Sequence, residues 1–185
     1  AIHIDCDLLA MSGGWIPAVH LHSQAGGRNE WDAARHCFVP GETMQEAVSV
    51  GACNGKWSLR GCLQEGLQAG REAASNCGFD APDIDLPKVA ERHDNPLQPL
   101  WRVPADAEPE RCPKQFLDFQ NDTSVADIRL AVREGYRNVE HVKRYTALGH
   151  GTDQGKLGTI NGMAVLAERL GKSSPDVGTT PFRPA

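Results

Sequence analysis

Between Asn76 and Pro113 the chain carries prolines at 82, 87, 96, 99, 104, 109 and 113, interleaved with Asp and other charged residues. Proline has no N–H to give a helix or a strand ladder, and it pushes the residue before it out of helical geometry. Neither a helix nor a central strand can therefore run through this stretch. It is predicted to be an extended connector over residues 77–113, laid on a surface and pinned by Leu100 and Trp101. A chain of 185 residues is thereby divided into two small units, each with room for only a modest core.

The composition is 40% hydrophobic and 23% charged with a net charge of -5, that of a soluble globular protein. No basic stripe is available to neutralise phosphates, which argues against nucleic acid as a partner. No apolar run approaches the ~20 residues that a membrane span needs. The opening "AIHIDCDLLAMSGG" lacks the basic start of a signal peptide. Entry into a core strand without a Met, and the Pro-rich ending "SSPDVGTTPFRPA", predict a piece of something longer. Cys6, Cys37, Cys53, Cys62, Cys77 and Cys112 form no C-x-x-C pair, so scattered reduced thiols and a cytoplasmic location are expected.

Residues 1–76 are predicted to be an α/β unit. "IDCDLLAM" reads as a strand leaving into Ser12, Gly13 and Gly14, and "VSVGACNG" as a second strand entering a glycine turn. The segment between them reads as mostly loop with short strands. A helix from about Trp57 to Ala74 follows, with Leu59, Cys62, Leu63, Leu67 and Gly70 near one face. Gly61, Gly66 and Gly70 each cost about 1 kcal/mol against Ala, which close packing of another backbone would explain. Strand–Gly–Gly, then strand–Gly–x–x–x–Gly–helix, is the order in which dinucleotide-binding folds bring backbone to a pyrophosphate. Gly13, Gly14, Gly51, Ala52 and Leu59 are the candidate nucleotide contacts. The order resembles the closing section of flavoprotein reductases with two dinucleotide-binding domains. Ala52 stands where that pattern places a flavin-binding Asp, which weakens the case for bound FAD. A plain α/β packing junction is the alternative.

His20 and His22 are read as one face of an extended segment, where a hydrogen-bonded structural pair is preferred over two ligands of a metal lacking a third. Cys53 and Cys62 are predicted to be buried, inert thiols.

Residues 114–172 are predicted to be a small helical unit. "FLDF" can be a short strand, and Ser124 with Asp127 resembles a capping box. Val125, Ile128, Ala131 and Val132 line one face until Gly135. Asn138 caps a second helix with Val139, Val142 and Tyr145 inward, ended by Gly149. A third starts at Thr159 or Asn161, carries Met163, Leu166, Ala167 and Leu170, and closes at Gly171. Residues 173–185 are read as a further linker. Around the second helix end, Lys143, Arg144, Thr146, Thr152, Gln154 and Lys156 gather, with Gly151 and Gly155 between them. Cations, hydroxyls and unobstructed N–H groups are what a phosphate monoester needs. The alternative is a solvated helix face with a capping loop, in which Glu140 and Arg144 pair.

"GGWIPAVHLHSQ", "FVPGE", "GACNG", "DFQND", "VREGYRNVEHVKRYTALG" and "GTDQGK" together resemble the alpha subunit of the heterotetrameric sarcosine oxidases, over essentially the whole chain. The resemblance implies an internal fragment: the end of a Rossmann-like dinucleotide-binding domain, then a small mainly α domain. It implies oxidative demethylation of sarcosine to glycine, with formaldehyde or methylenetetrahydrofolate and hydrogen peroxide as products. It implies NAD in the alpha subunit, FMN at an interface with the beta subunit, and FAD and tetrahydrofolate elsewhere in a complex that includes gamma and delta subunits. The helical unit resembles a ferredoxin-like domain that holds a [2Fe–2S] cluster on C-x-C and C-Q-G-x-x-C. The matching positions here are Asp118, Gln120, Asp153 and Gly158, so no cluster is expected. No catalytic residue is expected in this segment, and alone it is expected to be inactive. The alternatives are the alpha subunit of a related amine or imino-acid dehydrogenase, or a non-catalytic module that organises subunits.

Overall fold

Apolar residues at helical spacing, bracketed by caps, set the second unit. In the computed structural model, which describes residues 3–8, 10, 14–90 and 96–179, these runs are helices α3 (Val125–Arg133), α4 (Val139–Thr146) and α5 (Thr159–Leu170). The α3 start is a capping box: the Asp127 carboxylate accepts from the Ser124 N–H at 2.8 Å and from its hydroxyl at 2.7 Å. Asn138 caps α4 by accepting from the Glu140 N–H at 2.9 Å. The α4 stop is Ala147, in left-handed geometry at φ 59, and not Gly149 two residues later. Gly171, at φ 63, closes α5 as the sequence suggests.

α3 packs on both α4 and α5. Ile128, Leu148, Met163 and Leu166 are fully buried between these elements. Tyr145 is an exception to the inward reading: it is 44% exposed and stacks on Tyr136 at 4.7 Å between ring centroids. The stretch beyond Gly171 also differs from a free linker. Ser174–Val177 forms a 3-10 turn against α5, and Val177 is buried in the core.

The first unit is less regular than its pattern suggests. It contains α1 (His20–Gln24), a hairpin of β1 (Asn29–Asp32) and β2 (Cys37–Pro40), a 3-10 turn over Gly51–Asn54, and α2 (Leu59–Asn76). The helical unit contributes a second antiparallel pair, β3 (Phe116–Asp118) with β4 (Thr123–Ser124). Neither predicted strand of the first unit forms among the described residues. Residues 3–8 are irregular, and Leu9, Met11, Ser12 and Gly13 lie outside the described residues. Residues 48–50 reach the 3-10 turn through Val50 at φ -134 and ψ 160, yet they belong to neither described sheet. Extended dihedrals become a strand only where a neighbour supplies the ladder.

α2 begins where Ser58 accepts from the Gly61 N–H at 3.1 Å, close to the predicted start. None of its residues is buried, and a Cβ at Gly66 or Gly70 would meet nothing within 4 Å. The close-packed backbone that would explain those glycines is not among the described residues. No helix among the described residues is long and apolar enough to cross a membrane.

Among its described residues beyond the end of α2 the connector holds no α-helix or strand, only a 3-10 turn over Pro109–Arg111. Trp101 packs against the core and meets the His36 ring edge-on, whereas Leu100 is 73% exposed and anchors nothing. Ion pairs tie it down as well. Glu108 and Glu110 hold Arg129 of α3, and Arg102 reaches Glu168 of α5 at 3.0 Å.

The cysteines are all free, but their burial differs from the expectation. Cys53 is exposed and Cys62 half-buried with its thiol 3.2 Å from the Lys56 carbonyl, while the enclosed thiol is Cys37. Burial, with the Asp32 carboxylate adding to it, pushes the Cys37 thiol up to about 11. The thiolate is the nucleophile. At mildly alkaline pH a maleimide is expected to label Cys53 and Cys77 readily and to spare Cys37 until the chain is denatured. Peptide mapping that finds Cys37 labelled at the same rate in the native chain would contradict this.

Candidate functional site

The polar loop between α4 and α5 is built from the strand pair beneath it. β3 and β4 are out of simple register between Phe116 and Asp118. A bulge of this kind re-aims a side chain. Here it leaves Leu117 and Asp118 both buried, although neighbours on a regular strand point to opposite faces. Asp118 is therefore turned inward beneath the loop. Its carboxylate accepts from the N–H of Gln120 at 2.8 Å, of Asn121 at 3.1 Å and of Gly149 at 2.8 Å. Burial pushes this carboxyl up, but the N–H donors of Gly149, Asn121 and Gln120 outweigh it and hold it below the ordinary carboxylate range.

A second acceptor works beside it. The Gln120 amide oxygen takes the Thr152 hydroxyl at 2.9 Å and the Asp153 N–H at 3.3 Å. Asp153 in turn accepts from the N–H of Gly155 at 3.3 Å and of Leu157 at 3.1 Å. Three of the four positions that match cluster ligands in the ferredoxin-like domain thus meet in one hydrogen-bonded network. At the fourth, Gly158, a Cβ would overlap the Leu117 carbonyl oxygen.

The loop's glycines serve internal packing. Gly149 and Gly155 lie at φ 73 and 85, a region that side chains rarely adopt. A Cβ on Gly149 would stand 2.9 Å from the Thr159 hydroxyl and 3.0 Å from the Gly155 Cα, and one on Gly155 would overlap that same hydroxyl. The N–H groups of Gln154 and Lys156 donate to the Gly151 and Asp153 carbonyls. The main chain expected to face a phosphate is therefore largely engaged within the loop.

Side chains separate in the same way. Lys143 is buried at 2% exposure and pairs with Glu140 at 3.4 Å, so Glu140 turns to Lys143 and not to Arg144. The Thr146 hydroxyl donates to the Val142 carbonyl of its own helix at 2.8 Å. The Gln154 amide donates to the Gly151 carbonyl at 2.8 Å. Arg144, Thr152 and Lys156 are exposed. Of the six side chains that the sequence gathers, these three face outward.

Residues 112–185 match the family described as the sarcosine oxidase A3 domain. Across 98% of its length the chain is 38% identical to the sarcosine oxidase subunit alpha of Rhizobium meliloti (strain 1021). Across 99% it is 36% identical to the subunit alpha of Corynebacterium sp. (strain U-96). Over nearly its whole length the chain is similar to one segment of sarcosine oxidase alpha subunits. It spans 18% and 19% of the length of those two relatives. In fold it is similar to part of the crystal structure of L-proline dehydrogenase from P. horikoshii, with a TM-score of 0.61 at 18% identity, over 91% of this chain and 35% of that one.

Of the predicted nucleotide contacts, Gly51 and Ala52 lie on the turn before α2 and Leu59 in α2 itself. Gly51 is buried at φ 66, Ala52 is exposed, and Leu59 is 61% exposed in the first turn of α2. Gly14 is exposed, and a Cβ built on it would meet nothing within 4 Å among the described residues, while Gly13 lies outside them. The Gly51 N–H donates to Glu65 at 2.8 Å, and Lys56 adds an ion pair to Glu65 at 3.5 Å. Glu65 is thus the residue that shapes this turn, and no short motif marks it, since it lies about two turns into α2. The two histidines fall on α1, not on an extended segment. Two residues apart on a helix they cannot share a face, and His22 instead bonds the Arg28 carbonyl at 3.0 Å.

Proposed function

We propose that this segment works within the alpha subunit of a sarcosine oxidase complex, which demethylates sarcosine oxidatively to glycine, with formaldehyde or methylenetetrahydrofolate and hydrogen peroxide as products. In this reading residues 1–76 close a Rossmann-like domain that holds NAD, with Gly13, Gly14, Gly51, Ala52 and Leu59 at its edge. The loop after α4 faces an FMN shared with the beta subunit, and gamma and delta subunits complete a cytoplasmic heterotetramer. FAD and tetrahydrofolate bind elsewhere in the complex, and Asp118, Gln120, Asp153 and Gly158 hold no iron–sulfur cluster.

The observation that carries the flavin reading is the outward chemistry of the loop. With Gln154 and most main-chain N–H groups bonded inward, and the Thr152 hydroxyl donating to Gln120, Arg144 and Lys156 present the loop's charge to whatever lies opposite. A phosphate monoester with nearly two negative charges is costly to cover unless cations and donors meet it. FMN, when bound, supplies a redox relay, and this chain's part is to hold its phosphate end. Relatives at 38% and 36% identity bear the sarcosine oxidase name, and that favours sarcosine over the related imino-acid dehydrogenase reading.

Charge reversal by Arg144→Glu or Lys156→Glu in the intact complex is expected to lower FMN content or slow electron transfer several-fold, while FAD reduction by substrate is spared. Full FMN content with normal turnover in both variants would reduce the loop to a helix cap.

A further inference from the structure

The loop between α4 and α5 owes its shape to two side chains that lie outside it. Asp118 and Gln120 come from the β3–β4 turn, and their partners in the loop lie 31 to 33 residues further along the chain. Asp118 takes the N–H of Gly149 at the loop's entry, in buried surroundings. Gln120 takes the Thr152 hydroxyl and the Asp153 N–H at its tip. Asn121 adds a third tie, donating to the Ala147 carbonyl at 3.2 Å and to Asp118 at 3.3 Å. Thr123 adds a fourth, its hydroxyl donating to the Thr146 carbonyl at 2.7 Å. Apart from the Asn121–Asp118 bond, these all run between the β3–β4 hairpin and the segment from the end of α4 into the loop. The glycines match them: a Cβ on Gly151 would overlap the Gln120 amide oxygen.

We propose that Asp118 and Gln120 are positioning residues, a two-point clamp that holds residues 147–157 in the one conformation that keeps Thr152 bonded to Gln120 and Lys156 exposed. What the clamp positions the loop for rests on the flavin reading above, but the clamp itself does not. Its chemistry is specific. Asp118 serves as an ionised acceptor facing three N–H groups, so an amide in its place turns an NH2 toward at least one of them. Gln120 serves only through its oxygen, so a carboxylate can replace it and an alkyl group cannot. Gln120 is exposed, so its substitution leaves the core of α3 and α5 untouched.

The test uses the intact complex with a full-length alpha subunit carrying Gln120→Leu, Gln120→Glu or Asp118→Asn. Hydrogen exchange is followed by mass spectrometry in peptides covering 147–157, α3 and α5, and FMN retention is measured after gel filtration. Gln120→Leu and Asp118→Asn are expected to speed exchange in 147–157 about tenfold and to lower FMN retention, with α3 and α5 unchanged. Gln120→Glu is expected to restore both readouts, a rescue that a merely space-filling role would not give. Wild-type exchange in 147–157 for both Gln120→Leu and Asp118→Asn overturns the clamp. A loosened loop with FMN fully retained upholds the clamp and sinks the flavin reading instead. If Asp118→Asn also loosens the core, Gln120→Leu at its exposed position decides alone.

Discussion

Truncation of Leu148 to alanine is expected to destabilise the chain by about 3–5 kcal/mol, near the top of the range for a buried leucine. Leu148 is fully buried, and its methyl groups fill the space beside Gly158 and Gly162. The cost of such a truncation depends on how well the walls can collapse into the cavity. Glycines have no side chain to move, so this cavity stays open. The same geometry makes a sharper test. Gly162→Ala places a Cβ that overlaps a Leu148 methyl, an overpacking that costs about 1–3 kcal/mol and exceeds the ~1 kcal/mol gained from alanine's helix propensity. In the Leu148→Ala background the added methyl enters vacated space. The double variant is therefore expected to be more stable than the sum of the singles by over about 1 kcal/mol. Urea unfolding of the four proteins checks this, and simple additivity would show that Leu148 does not pack against α5 in this way.

Gly158→Ala is expected to cost about 2–3 kcal/mol for a different reason. Gly158 sits at φ -103 and ψ -24, where alanine is comfortable, so no backbone strain enters. The whole cost is steric: the new Cβ would overlap the carbonyl oxygen of Leu117. That oxygen cannot retreat cheaply, because Leu117 is buried in β3 and the next residue, Asp118, is fixed by its bonds to Gln120, Asn121 and Gly149. Chemical denaturation measures the loss. A change under about half a kcal/mol would mean that β3 yields, since surface-like tolerance of that size is typical of unconstrained sites.

Much of the helical unit was legible in the chain. Val125, Ile128 and Ala131 sit at helical spacing behind a Ser124–Asp127 box, and Asn138 stands just before Val139. These signals act within four residues, so they can be read without knowing the fold. Tyr145 misled because helical spacing gives direction but not what lies there: Tyr136 offers it a stacking partner at the surface. The first unit was read less well. "VSVGACNG" has the composition of a strand and Val50 the dihedrals of one, but no neighbouring strand among the described residues pairs with it. The polar stretch lies between two helices as its spacing suggests, but in its interior Lys143, Thr146 and Gln154 turn to the chain's own groups.

By itself the sequence determined the elements whose causes are local: the proline-bound connector, the capped helices α3 to α5, and the long phrases that resemble a segment of sarcosine oxidase alpha subunits. Only the tertiary structure decided what Asp118, Gln120 and Glu65 do. Asp118 looked like a lost ligand position, and Glu65 like one more charge on a helix. Their partners lie 31, 32 and 14 residues away, respectively. No helical or strand period links such positions. The Asp118 and Gln120 bonds exist only because packing of Leu117 and Leu148 against α5, and a bulge in β3, bring the two turns within reach.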